Sequence, residues 1–157
     1  MVYFGLIYQP LQYCISCWGG AAPCNLEPLN VLNRRAIRIV CNAPRNEHTP
    51  PLFHELNILN FNDIYVMQIG KIMHKIFNNS WSGTYNFVKV SEVHSYQTRY
   101  SKKQNYYQES TELKRTDRAL IIVGPKYGQI PDHIKSLPFH AFKLVYKKYL
   151  INNYLTA

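Results

Sequence analysis

Carboxylates are scarce in this chain. Only nine of its 157 residues are Asp or Glu: Glu27, Glu47, Glu55, Asp63, Glu92, Glu109, Glu112, Asp117 and Asp132. There is no Asp-Asp or Asp-x-Asp pair and no His-Glu-x-x-His. Two-metal polymerase and nuclease chemistry needs clustered carboxylates to hold Mg²⁺, and the sequence offers no such cluster. The seven glycines fit neither G-x-x-x-x-G-K nor G-x-G-x-x-G, and no G-x-S-x-G elbow occurs. The six histidines are scattered. These absences argue against catalysis by this chain alone, and no cofactor is expected.

Charge is also missing from the first 26 residues, where Glu27 is the first charged side chain. Residues 2–18 nevertheless do not read as a membrane span. Gln9, Pro10, Gln12 and Ser16 interrupt them, whereas a spanning helix wants ~20 predominantly apolar residues. The positive n-region of a signal peptide is absent as well. The expectation is a buried helix pair broken near Pro10, in a protein that is intracellular (nucleus or cytoplasm), not secreted and without a membrane partner. In that setting the four cysteines, at 14, 17, 24 and 41, are not expected to form disulfides. Cys14-x-x-Cys17 is half of a zinc pattern. No second pair follows, only His48 and His54. Buried free thiols are the favoured reading.

What remains is apolar and basic. Hydrophobic residues make up 46%, enough for a core. Charged residues are 17%, below the ~25% of an average globular chain, which excludes wholesale disorder and a long coiled coil. The length fits one ordinary domain or two small ones. Eighteen Lys and Arg against nine acids give +9. The excess is uneven: residues 1–78 carry six basic and four acidic side chains, residues 79–157 twelve and five. Thirteen tyrosines add flat stacking surface with a polar tip. A basic, Tyr-rich surface suits nucleic acid through phosphate neutralisation and base stacking.

Periodicity places these residues. Residues 3–18 read as helical, broken at Gly19-Gly20 and Pro23. A helix over 25–42 starts at an Asn25 N-cap and stops before Pro44. Its apolar stripe is Leu29, Leu32, Ala36, Ile39 and Val40, with Arg34, Arg35 and Arg38 opposite. A short helix fits Leu52 to Leu56. The next, 61–78, buries Tyr65, Ile69, Ile72, Met73, Ile76 and Phe77, with Gln68, Lys71 and Lys75 opposite. Beyond residue 80 the pattern turns mixed. Strands are expected at Tyr85 to Val90 and Ala119 to Val123, flanking a basic tract that holds Arg99, Lys102 and Lys103. Pro138 to Tyr154 is a last helix, with Phe142, Val145 and Tyr149 as its stripe. The expected fold is mainly α: a helical bundle in 1–79, then a small mixed α/β basic tail in 80–157 with a short strand or hairpin and a final helix.

An ordered set of local patterns also stands out: Tyr8-Gln-Pro-Leu-Gln-Tyr13, Trp18-Gly19-Gly20, Leu32-Asn-Arg-Arg-Ala-Ile-Arg-Ile-Val40 and Asn42-Ala43-Pro44. His48-Thr49, Pro51-Leu52-Phe53, Leu56-x-Ile58-Leu59 and His94-Ser-Tyr-Gln-Thr-Arg99 follow, then Gly124-Pro125-Lys126, Ile130-Pro131-x-x-Ile134-Lys135, Phe142-Lys143 and Lys148-Tyr149-Leu150. Taken together, residues 3–151 resemble the C-terminal region of reverse transcriptases from LINE-type, jockey-like non-LTR retrotransposons. The resemblance implies a thumb in the first half, leaning on template–primer, and a tail carrying the His-x-Tyr-x-Thr-Arg signature in the second. It further implies a truncated transposable element, beginning at a Met inside the thumb. Palm, fingers and endonuclease lie outside it, and with them the family's catalytic aspartates and Mg²⁺. Tyr127 takes a family Trp position, and Cys14 stands where Gly is common.

On this reading the chain is a non-enzymatic fragment of an RNA-directed DNA polymerase. Its expected partner is nucleic acid, RNA–DNA or RNA template–primer. Arg34, Arg35, Arg38, Lys71 and Lys75 form a duplex-facing patch, and Arg99, Lys102 and Lys103 a second, more flexible one. The alternative is a non-catalytic protein–protein interaction or structural module, self-associating through apolar surface. A zinc-stabilised binding domain is the third reading.

Overall fold

A computed structural model describes residues 3–80, 87–93, 95–96, 98–102, 105–107 and 123–155. A π-helical turn, Phe4–Tyr8, runs into α1 (Gln9–Gln12) and is followed by α2 (Ile15–Trp18), α3 (Pro23–Val40), α4 (Thr49–Glu55) and α5 (Phe61–Phe77). Two single turns, α6 (Val90–Val93) and α7 (Arg99–Lys102), come next. A 3₁₀ segment, Gly124–Gln129, then leads to α8 (Asp132–Lys135), α9 (Phe139–Asn152) and a 3₁₀ turn, Asn153–Leu155. The described residues are mainly helical and contain no strand; an antiparallel bridge pairs Lys89 with Tyr106. Among them, no helix is long and apolar enough to cross a membrane.

The expected helix ends need correction at three points. Pro10 does not break the first stretch. It sits in the first turn of α1, where its missing N–H costs nothing. The break comes at Tyr13, which is extended, and Cys14, which is left-handed with φ 48°. Likewise Pro23 opens α3 instead of ending the segment before it, and Ala22, not Asn25, is the N-cap. The strand expected from Tyr85 lies partly outside the described residues. Within them Lys89 makes only the bridge, and Val90 already begins α6. Most of the strand expected at Ala119 also lies outside. Its last residue, Val123, has helical dihedrals (φ −79°, ψ −33°) and leads into the 3₁₀ segment.

The chain forms two compact units, residues 1–68 with 143–157, and residues 69–142. The boundary near residue 80 is one of composition; these units are defined by packing, and their limits fall within α5 and α9. In the first unit Tyr3, Ile37, Phe53 and Ile58 are fully enclosed, with Ile7, Tyr8, Leu52, Leu56 and Tyr154 packed around them. The buried line of α3 is Asn33 and Ile37, not the expected stripe. Leu32 is 57% exposed and Ile39 79%. A polar residue can lead the buried face because the Tyr3 hydroxyl donates to Asn33 Oδ1 at 2.6 Å. Gly19 is required for space: a Cβ there would lie 2.6 Å from both the Ile15 carbonyl oxygen and Tyr65 Cδ2.

α5 begins with a cap. Asn60 Oδ1 accepts from the Asp63 N–H at 2.9 Å, and the Asn60 N–H donates to the Tyr154 hydroxyl at 3.0 Å. Burial pushes the Asp63 carboxyl above the usual carboxylate range, against hydrogen bonds from Tyr154 and Asn60 that pull it down. The Tyr154 phenol is pushed up by burial and by that carboxylate. On α9 the buried line is Phe142, Tyr146 and Leu150. Val145, expected in the stripe, is 37% exposed, because the buried line follows i, i+4, i+8 from Phe142.

In the second unit His74 is the centre. Its ring stacks on Phe142, with centroids 4.1 Å apart, and Nε2 lies 2.9 Å from the Leu137 carbonyl oxygen. Tyr127 packs against His74, Phe77 and Phe142. Gly124 sits against Met73, whose Sδ would be 2.7 Å from an added Cβ. Lys135 is buried, with Nζ donating to the Gly128 carbonyl at 2.8 Å and to Asp132 at 3.3 Å.

Candidate functional site

Three arginines occupy the last two turns of α3, and a fourth follows in the loop. The loop's course is set by Asn42. It adopts a left-handed conformation (φ 50°), and the Asn42 and Ala43 N–H groups bond back to Ile39 and Arg38 carbonyls at 3.1 and 2.9 Å. This Schellman closure satisfies the helix's last carbonyls. A turn then closes from the Glu47 N–H to the Pro44 carbonyl at 3.1 Å, with Arg45 at its second position. Arg38 Nε donates to the Glu47 carbonyl at 2.8 Å, tying the loop to the helix.

The result is two arginine-walled hollows that share Arg35 and Arg38. The smaller, about 300 Å³, is completed by Ile39, Ala43 and Arg45. The larger, about 530 Å³, has Arg34 and Val31 on the helix side and Asn46, Glu47, His48, Thr49 and Pro50 on the loop side. Arg34 is ion-paired to Glu27 on the same helix. Arg35 and Arg45 are exposed and have no hydrogen bond or ion pair among the described residues. A guanidinium carries five N–H donors, so Arg38 keeps four after its bond to Glu47. Donors in this number, on fixed planes, match phosphate and carboxylate oxygens in pairs.

Proximity to a helix C-terminus works against an anion here, since the terminus carries roughly half a negative charge. The Schellman closure occupies the nearest carbonyls. Four guanidiniums against the Glu27 and Glu47 carboxylates leave the surface net positive.

The other expected site residues are more dispersed. Lys71 and Lys75 lie half-buried on the second-unit part of α5, and Lys75 Nζ sits 4.9 Å above the Phe139 ring. Arg99 and Lys102 are exposed on α7. Lys103 lies outside the described residues, as do His94 and Gln97 of the His94–Arg99 pattern and Lys114, Arg115 and Arg118. Arg45 and the loop wall were not legible as site residues. Nothing periodic marks a loop, and only the Asn42-Ala43-Pro44 sequence signals a helix stop.

The cysteines correct an expectation. Cys14, Cys17 and Cys24 are exposed and free, and Cys41 is half-buried and free. Cys14 and Cys17 lie at and within the single turn of α2, whose buried position is held by Ile15, Cys24 lies in the first turn of α3, and Cys41 caps the C-terminus of α3. Among the described residues no three His, Cys, Asp or Glu side chains are grouped to hold a metal ion.

Comparison with protein-family models, with curated proteins and with solved structures finds no match to this chain. The described residues are thus mainly helical, with two arginine-lined hollows at the end of α3.

Proposed function

We propose that this chain holds nucleic acid, as the thumb and tail region of a LINE-type retrotransposon RNA-directed DNA polymerase. On this reading the family's catalytic palm and endonuclease are not among these 157 residues, which by themselves are not an enzyme. The observation that carries the reading is the pair of hollows walled by Arg34, Arg35 and Arg38, completed by Arg45. The +9 net charge supports it. The residues beyond 80 serve as a basic mixed tail in which Arg99, Lys102 and Lys103 add a second binding surface. The protein works inside the cell, in nucleus or cytoplasm, on RNA–DNA or RNA template–primer.

A salt titration of RNA–DNA hybrid binding tests this. Replacing Arg34, Arg35 and Arg38 by Ala should weaken binding and lower the salt slope by roughly one unit for each phosphate no longer neutralised. Circular dichroism should report an unchanged fold. Equal affinities and slopes for parent and variant would sink the reading.

A second reading, an interaction or structural module, is favoured by one observation. Leu32, Ile39 and Val40 stand exposed on α3, and such apolar surface marks interfaces. Association through it should persist in high salt, where nucleic-acid binding is lost.

A further inference from the structure

We infer that the smaller hollow is a nucleotide subsite, taking one phosphate and one unstacked base from a strand end or a free mononucleotide. The inference rests on the nucleic-acid reading above and narrows it from duplex backbone to a single nucleotide.

Size argues first. About 300 Å³ is far more than an inorganic anion fills and stands at the lower end of organic-ligand pockets. The walls argue next. Arg35 and Arg45 have no partners among the described residues, and they face a hollow also lined by Ile39 and Ala43. Ile39 is 79% exposed, an apolar surface left in water beside three guanidiniums. A phosphate satisfies the guanidinium donors in pairs. A base face covers the isoleucine and stacks on a guanidinium plane, as unstacked bases do on arginine. Arg38 is pre-oriented, since its Nε is held by the Glu47 carbonyl at 2.8 Å. The larger hollow is lined by neither Ile39 nor Arg45, so it lacks this pairing of an exposed aliphatic face with an unpartnered guanidinium from the loop.

A duplex interior cannot use this site. Its bases are paired and stacked, and only a strand end or a single strand offers both groups together. Arg45 is then a specificity-determining residue.

The test uses the whole chain with adenosine 5′-monophosphate, inorganic phosphate and an RNA–DNA hybrid carrying either a blunt or a single-stranded end. Calorimetry should show the mononucleotide binding about tenfold or more tighter than phosphate. Arg45→Ala should weaken mononucleotide binding about tenfold while retaining the helical circular dichroism signal. Ile39→Ser should weaken mononucleotide but not phosphate binding. Phosphate binding as tight as mononucleotide, or no effect of either substitution, overturns the subsite. Mononucleotide competing better against the single-stranded end than the blunt one assigns a strand end. Equal competition assigns a free nucleotide. Hybrid binding that persists with no mononucleotide binding overturns the subsite and leaves the nucleic-acid reading standing. Mononucleotide binding with no hybrid binding does the reverse.

Discussion

Asn33 is a polar side chain at the centre of an apolar core. Its Oδ1 takes the Tyr3 hydroxyl, while its Nδ2 has no partner among the described residues. A buried donor left unmade costs about 1–3 kcal/mol, so the pair is not a stability optimum. Asn33→Leu alone should destabilise by about 1–3 kcal/mol, because it strands the Tyr3 hydroxyl. Adding Tyr3→Phe should recover most of that loss. Chemical denaturation of both single variants and the double closes the cycle; a double variant as unstable as the sum of the singles would refute the pairing. Burial pushes the Tyr3 phenol up to about 12, so it stays neutral across the working range. Asn33 also explains why the buried face of α3 differs from its hydropathy stripe. A hydropathy stripe counts Asn as outward, and only its distant partner makes it a core residue.

His74 has the opposite lesson. Met73 and Ile69 on the same helix are buried as expected, and the histidine is buried beside them. Burial lowers its pKa below the ordinary 6.5, against hydrogen bonds to the Leu137 and Lys135 backbone that raise it. The unfolded chain therefore binds more protons below about 6.5, and stability falls as pH drops through that point toward the folded value. Asp63, raised by burial above 3.8, acts in the other sense at lower pH, where the folded carboxyl holds its proton longer. Urea midpoints across the acid range should decline first below about pH 6.5 and then flatten. His74→Gln should remove the first decline; a curve of unchanged shape would show that another group titrates there.

At the scale of elements, three helices end the same way. Asn42, Asn57 and Asn79 follow α3, α4 and α5 with φ of 50, 53 and 52°. Each is followed by an N–H that reaches back, from Ala43 to Arg38, Ile58 to Phe53 and Ser80 to Lys75, at 2.9 Å in every case. Asparagine tolerates this conformation and glycine adopts it freely. Asn57→Gly should be neutral or slightly stabilising, whereas Asn57→Val should cost about 1–2 kcal/mol, read as a shift in thermal midpoint. The existence of α3, α5 and α9 was legible because each has a long apolar period and clear stops. Their faces were less so. α3 has apolar residues on two sides, and periodicity alone does not choose between Leu32-Ile39 and Ile37. The two faces now separate experimentally. Ile37→Asp places an unpaired charge in a fully buried site and should unfold the first unit, at several kcal/mol. Ile39→Asp, at a largely exposed site, should stay within about 0.5 kcal/mol of the parent.

For the molecule as a whole, charge was the most legible property and its spatial use the least. Arg34, Arg35 and Arg38 read outward from the sequence, and they do line the hollows. Arg45 joined them only through the Asn42 turn, a placement no spacing encodes. The charge arithmetic adds a second demand: residues 79–157 hold twelve of the eighteen basic side chains, so hybrid binding should not be carried by α3 alone. Counterion release depends on the number of phosphates neutralised, whatever element supplies the cation. Replacing Arg99, Lys102 and Lys103 by Ala should therefore lower the salt slope as the α3 triple does, by roughly one unit for each phosphate released. The two triples should combine additively in slope if they touch separate phosphates. The α3 triple should in addition lose mononucleotide binding, which the second triple should keep. Hybrid binding by the second triple with parental affinity and slope would confine the nucleic-acid surface to the arginines of the first unit and leave the basic tract as a solvated surface.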